Sequence, residues 1–286
     1  IAGVSILSNC LYQNRNQTIL RCRFIFLLCL TANFCVAQSE STVTRTFADL
    51  PDWSGVWLRD GPNVFDPSSM EPANGRAGQP GVRQHPPYND SWEAKYLNNI
   101  ELAKQDNFPD PLTFCLPPGF PRSLSLPGGV EFVIRPEQVW ILNEDGPNIS
   151  RIYTDGRPLP KEGDYWATYG GESIGFWEGN TLVFKTIGMK GEGDTILDRT
   201  GAVLSEEMVI DTRIRLVGTD KLEAVMVIND PVALTSPWEV VRLFDRLPEG
   251  AKLFDVVCTE NNRNPVNQDG KTLTLDTDGN VLDILE

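Results

Sequence analysis

Apolar and polar residues alternate along most of the chain after residue 130, which is the pattern of strands with one buried face. Within residues 207–217, for example, Ile210 and Ile214 fall on one face, while Asp211 and Arg213 fall on the other. Turn residues separate the alternating segments. The strands that this pattern predicts are 130–134, 138–143, 149–154, 174–178, 181–187, 207–217, 221–229, 238–245 and 252–258.

Eight or nine consecutive strands joined by short turns are typical of an antiparallel meander. Such a meander tends to close on itself, because an open sheet leaves unpaired edge strands. We therefore predict an all-β, mainly antiparallel fold for residues 123–286, a lipocalin-like up-and-down barrel. A β-sandwich of two sheets is the alternative that the same pattern allows.

The segment before these strands, residues 38–122, is predicted to be an extended arm that carries one helix. Asp90 can cap a helix in which Glu93 occupies the reciprocal capping-box position, and Trp92, Tyr96, Ile100 and Ala103 recur at helical spacing in a helix that ends near residue 106. Prolines recur through residues 108–122 and exclude a regular helix there.

The N-terminus has the layout of a secretory signal peptide. Two arginines precede a short apolar run, and small residues then lead to Ala37 at the expected cleavage edge. Residues 1–20 are interpreted as upstream sequence, so residues 1–37 are set apart from the fold. The apolar run is too short to favour a membrane anchor, and no later run is long enough to cross a bilayer. The protein is therefore predicted to be periplasmic or secreted, without stable membrane insertion.

Loss of residues 1–37 removes three arginines and no acidic residue, so the formal charge moves from −14 to −17. A chain this acidic, with no basic stretch, is unsuited to binding nucleic acid or anionic membranes. Only Cys115 and Cys258 remain, and in an exported chain they are expected to form one disulfide; two buried free thiols are the alternative. A single histidine leaves too few ligands for a zinc site, and no glycine-rich loop opens a helix, so no metal and no cofactor is predicted.

The candidate chemistry lies in residues 151–187, which read as a strand, a polar loop and a hairpin. Glu178-Gly179-Asn180 predicts the tight turn of that hairpin, because glycine and asparagine tolerate positive φ. Several ionisable side chains in this stretch could meet at the mouth of the barrel. Glu172 and Asp155 are the candidate catalytic acids or bases, with Arg151 or Arg157 holding an oxyanion or a carboxylate.

A simpler interpretation is that Asp155 and Arg157 only pin the loop through a salt bridge. Ser173 lies in Gly-Glu-Ser-Ile-Gly, but a nucleophile elbow needs a strand that turns into a helix, and here a loop leads into a strand. Asp230 and Trp238 flank a second loop that could line the same mouth. The ligand-binding candidates are Arg151, Tyr153, Arg157, Tyr169, Ser173, Trp177, Asp230 and Trp238.

The motifs of this chain resemble those of a group of exported β-rich proteins from environmental Gram-negative bacteria. The resemblance rests on PDWSGVW, CLPPGFPR, RIYTDGR, GESIGFWEGNTLVFKT, SEE, NDP, SPW and CTEN, in the same order over residues 51–261. It implies a signal peptide and a β-rich body, and it supplies no reaction. Members often carry aspartate in place of Asn180, and histidine or an aromatic residue in place of Glu172, so the group does not share this carboxylate.

These observations favour an exported barrel that binds a small hydrophobic or aromatic molecule in its interior. The alternative is an acid-base enzyme, such as an isomerase, cyclase, lyase or hydrolase, that acts on a small organic substrate at the barrel mouth. An envelope scaffold that binds protein partners is a third possibility and would require an exposed apolar patch. The oligomeric state is left open.

Overall fold

Nine strands pair in chain order and close into a barrel in the computed structural model of this chain. The structure describes residues 45–61, 65, 85–105, 110–145, 149–254 and 256. Closure confirms the predicted all-β barrel with one helix, rather than a sandwich. The strands are β1 (Val56–Asp60), β2 (Val130–Ile134), β3 (Gln138–Asn143), β4 (Ile149–Tyr153), β5 (Glu172–Glu178), β6 (Thr181–Ile187), β7 (Val209–Leu216), β8 (Lys221–Asn229) and β9 (Trp238–Arg246).

The strand bounds agree with the alternation of the sequence to within two residues for β2 to β9. One strand of the barrel, β1, was not predicted, and the strand predicted at residues 252–258 is not found where the structure describes that segment. Residues 252–254 form no strand, and residues 255, 257 and 258 lie outside the described residues. Instead, β1 comes from the segment predicted as an arm and pairs antiparallel with both β2 and β9.

Contacts between charged side chains and an aromatic ring reinforce this closing seam. The guanidinium of Arg246 on β9 lies 4.4 Å from the ring centre of Trp57 on β1, its partner in register. Lys221 Nζ contacts Asp60 at 3.0 Å and Asp245 at 2.6 Å, so it links β8 to both strands of the seam. The seam is thus held by side chains as well as by the backbone ladder.

The inward-facing side chains of the barrel pack into one continuous buried cluster. Trp53 and Trp57 enter this cluster from the β1 end, and the indole nitrogen of Trp57 donates to the carbonyl of Trp53 at 3.0 Å. Aromatic residues on strands are not all inward, however: Phe176 is 57% exposed on the outer face of β5. The buried strand residues include Phe132, Ile141, Ile152, Leu182, Phe184, Ile210, Ile214, Leu222, Met226, Val240 and Phe244.

One α-helix, α1 (Asp90–Lys104), precedes the strands β2 to β9. Its N-cap is Asn89 rather than the predicted Asp90, because the Asn89 side chain accepts the backbone N–H of Trp92 at 3.2 Å. Trp92 and Tyr96 face the core, as their spacing predicts. Short 3-10 turns occupy Phe47–Asp49, Pro111–Phe114 and Arg122–Leu124. No helix within the described ranges is long and apolar enough to span a membrane.

Cys115 ends the 3-10 turn Pro111–Phe114 in a left-handed conformation and is disulfide-bonded. Cys258 lies outside the described residues, so its pairing with Cys115 stays a prediction. The signal peptide that the sequence predicts within residues 1–37 also lies outside the described residues.

Candidate functional site

The barrel has a single parallel pair of neighbouring strands, β4 and β5. A closed barrel with an odd number of strands cannot have only antiparallel neighbours, because strict alternation of direction returns to its start only after an even number. Here β4 and β5 are paired at two positions, Ile152 with Ser173 and Tyr153 with Ile174. Residues 154–171 connect the two strands and form what we call the crossover.

A cleft of about 300 Å³ lies between the crossover and the outer face of this parallel pair, and we call it the crossover cleft. Its volume is at the lower end of the range for small-molecule sites. Prolines and aliphatic residues supply much of its wall, and ionisable groups supply the rest. The lining residues are Tyr153, Arg157, Pro158, Leu159, Pro160, Lys161, Asp164, Glu172 and Ile174.

Strand alternation explains which side chains reach this cleft. Ser173 points into the barrel, where its hydroxyl lies 2.8 Å from that of Thr186 and is buried. The residues on either side of it, Glu172 and Ile174, must then point outward. Tyr153 is in register with Ile174 and is outward by the same rule, because its neighbour Ile152 is fully buried.

The half-buried carboxylate of Glu172 lies at the start of β5 and lines the crossover cleft. It makes no hydrogen bond and no ion pair with any side chain in the part of the chain that the structure describes. A carboxylate in this state retains its full capacity to accept hydrogen bonds or a proton from a bound molecule.

Arg157 is held on two sides. Its Nε lies 3.0 Å from both carboxylate oxygens of Asp155, and its Nη2 donates to Asp155 at 2.6 Å. Its Cζ lies 3.8 Å from the ring centre of Tyr153. The hydrogen bond from Arg157 lowers the pKa of the Asp155 carboxyl, and the same contact raises the pKa of Arg157. Asp155 therefore positions Arg157 and pins the crossover, as the simpler interpretation of this pair predicts.

The contribution of Asp155 to stability is expected to depend on pH. Its pKa is lower in the folded protein, so the stabilisation is present at neutral pH and is lost as the pH falls below the ordinary value of 3.8. Because the pair is exposed, we expect Asp155→Asn to lower the free energy of unfolding by about 0.2–1 kcal/mol at pH 7. Urea unfolding of both proteins from pH 7 downward measures this, and a difference that grows on acidification would contradict it.

Besides Asp155, six of the ten predicted site residues do not line the cleft. Arg151 points outward from β4 and is in register with Trp140. Lys190 Nζ lies 4.9 Å from the ring centre of Tyr169, whose carbonyl accepts the N–H of Phe120. Ser173 is bonded inside the barrel, as described above. Trp177 packs edge-to-face on Trp53, with ring centres 5.3 Å apart.

The other two predicted residues, Asp230 and Trp238, are buried within the fold. The Asp230 carboxylate accepts the N–H and the hydroxyl of Ser205, both at 2.7 Å, and the N–H groups of Val232 and Ala233, both at 3.0 Å. Trp238 packs edge-to-face on Phe65 with ring centres 5.1 Å apart. Asp230 therefore stabilises the loop through hydrogen bonds, and Trp238 packs in the core.

A second charged group, Arg242, is also buried and also lies apart from the cleft lining. Burial lowers its pKa to about 9, while the nearby Asp198 opposes this shift. Its Nε donates to the Ser125 hydroxyl at 2.8 Å, and its Cζ lies 4.0 Å from the ring centre of Phe65. Arg242 thus joins β9 to the segments that pack on the barrel.

The sequence-based prediction missed six of the nine residues that line the cleft: Pro158, Leu159, Pro160, Lys161, Asp164 and Ile174. The sequence carried a signal for Ile174 only. Side chains alternate between the two faces of a strand, so Ile174 lies on the same face as Glu172, two residues earlier. The crossover residues gave no signal, since a loop has no periodicity from which its facing side chains can be read.

The part of the chain that the structure describes contains no group of three or more side chains suited to holding a metal ion. Comparison with protein-family models and with curated proteins returns no match. The function must therefore be argued from the geometry of the cleft.

Proposed function

We propose that this protein is an exported small-molecule-binding protein whose ligand occupies the crossover cleft. The observation that carries this proposal is the convergence of Tyr153, Arg157 and Glu172 on one cleft of about 300 Å³ with a largely apolar wall. Such a wall, with a few fixed polar groups, is the usual composition of a small-molecule site.

We place the ligand in the cleft rather than in the barrel interior because of how the interior is packed. Side chains from all nine strands occupy the inward positions, and large residues such as Trp57, Phe184 and Phe244 are almost fully buried there. A ligand in the interior would have to displace these contacts, and each large apolar side chain moved out of the core would cost several kcal/mol, about 3–5 for a phenylalanine or tryptophan lost entirely.

Export is supported by the signal-peptide layout and by the disulfide at Cys115, because disulfides persist in oxidising compartments. Resemblance to the exported Gram-negative group supports the same location. The acidic chain suits a small organic ligand better than a nucleic acid or an anionic membrane.

Native mass spectrometry of protein purified from its own periplasm, followed by organic extraction, tests this proposal. We expect a bound small molecule that is lost from Ile174→Trp, in which the larger side chain fills the cleft. Val183→Trp is the matched control, because Val183 is a half-buried, outward residue of the neighbouring strand β6 that does not line the cleft. An Ile174→Trp protein that carries the same molecule at the same occupancy would contradict a site in the cleft.

A second candidate function is acid-base catalysis in the same cleft. It is favoured by the Glu172 carboxylate, which has no partner among the described residues and lies in a cleft with Arg157 and Lys161. Glu172 would take a proton from the substrate, and a nearby cation would stabilise the negative charge that develops.

A further inference from the structure

We infer that the ligand of the crossover cleft is an aromatic ring bearing a hydroxyl or amino group, stacked on Arg157 and hydrogen-bonded to Glu172. This inference rests on the proposed function, since it names the chemical class of ligand for the same cleft. Three features of the cleft support it: the way Arg157 is held, the carboxylate of Glu172 without a partner among the described residues, and the volume of the cleft.

Arg157 lines the cleft, and its neighbours leave part of its guanidinium uncovered. One face of its guanidinium lies over the ring of Tyr153, with Cζ 3.8 Å from the ring centre. The edge that carries Nε and Nη2 is occupied by Asp155. The side chain is nonetheless 47% exposed, and it lines the cleft. What remains is the opposite planar face and the Nη1 edge, and a planar, delocalised cation stacks well on an aromatic ring.

This arrangement disfavours a ligand carboxylate as the main anchor. A carboxylate is bound most strongly by two parallel N–H donors of one guanidinium, and Asp155 already occupies the Nε and Nη2 pair, which leaves only the Nη1–Nη2 edge for a second carboxylate. The negative charges of Glu172 and Asp164 offset the positive charges of Arg157 and Lys161, so the lining of the cleft carries no net charge that would attract an anion. Stacking on the free face requires neither the displacement of Asp155 nor the approach of like charges.

Glu172 selects for a hydrogen-bond donor. An ionised carboxylate only accepts hydrogen bonds, so its best partner on a ligand is a hydroxyl or an amino group. Ile174 follows two residues later on the same outer face, and Tyr153 is in register with it. A ring that rests against these residues would therefore place a substituent close to Glu172.

Preorganisation strengthens the argument for Arg157. Asp155 and Tyr153 fix the guanidinium before any ligand arrives, so little side-chain entropy remains to be lost on binding. The prolines on either side of Leu159 limit the conformations of the opposite wall in the same way. The volume of about 300 Å³ suits one ring with small substituents rather than an extended molecule.

Three small probes of similar size separate the requirement for an aromatic ring from the requirement for a hydrogen-bond donor. 4-Methylphenol has the ring and the donor, 4-methylanisole has the ring without the donor, and 4-methylcyclohexanol has the donor without the aromatic ring. Binding of each to the full chain is measured by titration with detection by nuclear magnetic resonance. We expect 4-methylphenol to bind at least about tenfold more tightly than either of the others, since both the stacking contact and the charged hydrogen bond contribute.

Two variants assign this preference to residues. Arg157→Lys keeps the charge and removes the planar face, so we expect 4-methylphenol to bind about fivefold to tenfold more weakly, with little change for 4-methylcyclohexanol. Arg151→Lys is the matched control, because Arg151 lies on the outer face of β4 and does not line the cleft. It should bind all three probes as the natural sequence does.

The outcomes distinguish this inference from the proposed function. If 4-methylcyclohexanol binds as tightly as 4-methylphenol, and Ile174→Trp abolishes both, the cleft is a binding site but the aromatic class is wrong. If Arg157→Lys and Arg151→Lys bind 4-methylphenol equally, stacking on Arg157 is wrong. If no probe binds and no molecule co-purifies with the protein, both proposals fail.

Discussion

Asp230→Ala is expected to lower the free energy of unfolding by about 3–5 kcal/mol, the largest effect on stability that we predict for a polar residue. The buried carboxylate accepts four hydrogen bonds, two from Ser205 and one each from the backbone of Val232 and Ala233. Alanine removes all four acceptor contacts and leaves three backbone N–H groups without a partner near the barrel end. Buried groups without a partner are costly because they have lost their hydrogen bonds to water.

Urea unfolding and thermal melting measure this loss, with a fall in melting temperature of about 2–4 °C for each kcal/mol in a chain of this size. Asp220→Ala is the matched control, because the side chain of Asp220 is 73% exposed. Asp230→Asn should fall between the two, since the kept oxygen can still accept from the Ser205 hydroxyl, Val232 and Ala233, while the amide NH₂ faces the backbone N–H of Ser205. A change below 1 kcal/mol for Asp230→Ala would mean that the loop is held by other contacts.

Glu172→Gln is expected to lower kcat by about 100- to 10,000-fold if the cleft catalyses proton transfer, because glutamine has nearly the same shape but cannot take up a proton. Stability should change by less than about 0.5 kcal/mol, since the carboxylate makes no hydrogen bond or ion pair with any described side chain. Turnover is followed by mass spectrometry on the molecule that co-purifies with the protein.

Glu178→Gln is the control for this variant. Glu178 lies on the same strand and the same outer face, but it pairs with Arg213 and does not line the cleft. We expect it to leave turnover unchanged. Equal turnover by Glu172→Gln and the natural sequence would exclude Glu172 as the acid or base, and a natural protein that converts nothing would leave binding as the function of the cleft.

The sequence predicted most of the barrel because a strand carries its own signal. In β7, β8 and β9 alternate residues are buried and half-buried or exposed, and this period of two is visible in the chain without knowledge of any partner strand. Gly179 likewise predicted the turn of the β5–β6 hairpin, because its φ of 57° is a value that glycine adopts easily. Local chemistry was sufficient for both features.

The candidate site was only partly predictable. Tyr153, Arg157 and Glu172 were recognised because they are ionisable or aromatic and close in sequence, and the structure brings them to one cleft. Asp230 was also recognised as polar and close to a loop, yet both of its carboxylate oxygens already accept hydrogen bonds within the fold. A sequence shows that a carboxylate is present, but it does not show whether other groups already satisfy it.

By itself, the sequence determined the strands β2 to β9, the buried face of each, and where the polar crossover lies. Only the tertiary structure decided that β1 closes the barrel against β9, because pairing between segments that lie far apart in the chain depends on the whole sheet and not on local periodicity. A closed ring of nine strands requires a parallel pair of neighbours, and the tertiary structure decided that this pair is β4 and β5. That pairing places residues 154–171 over an outer strand face, and so creates the crossover cleft.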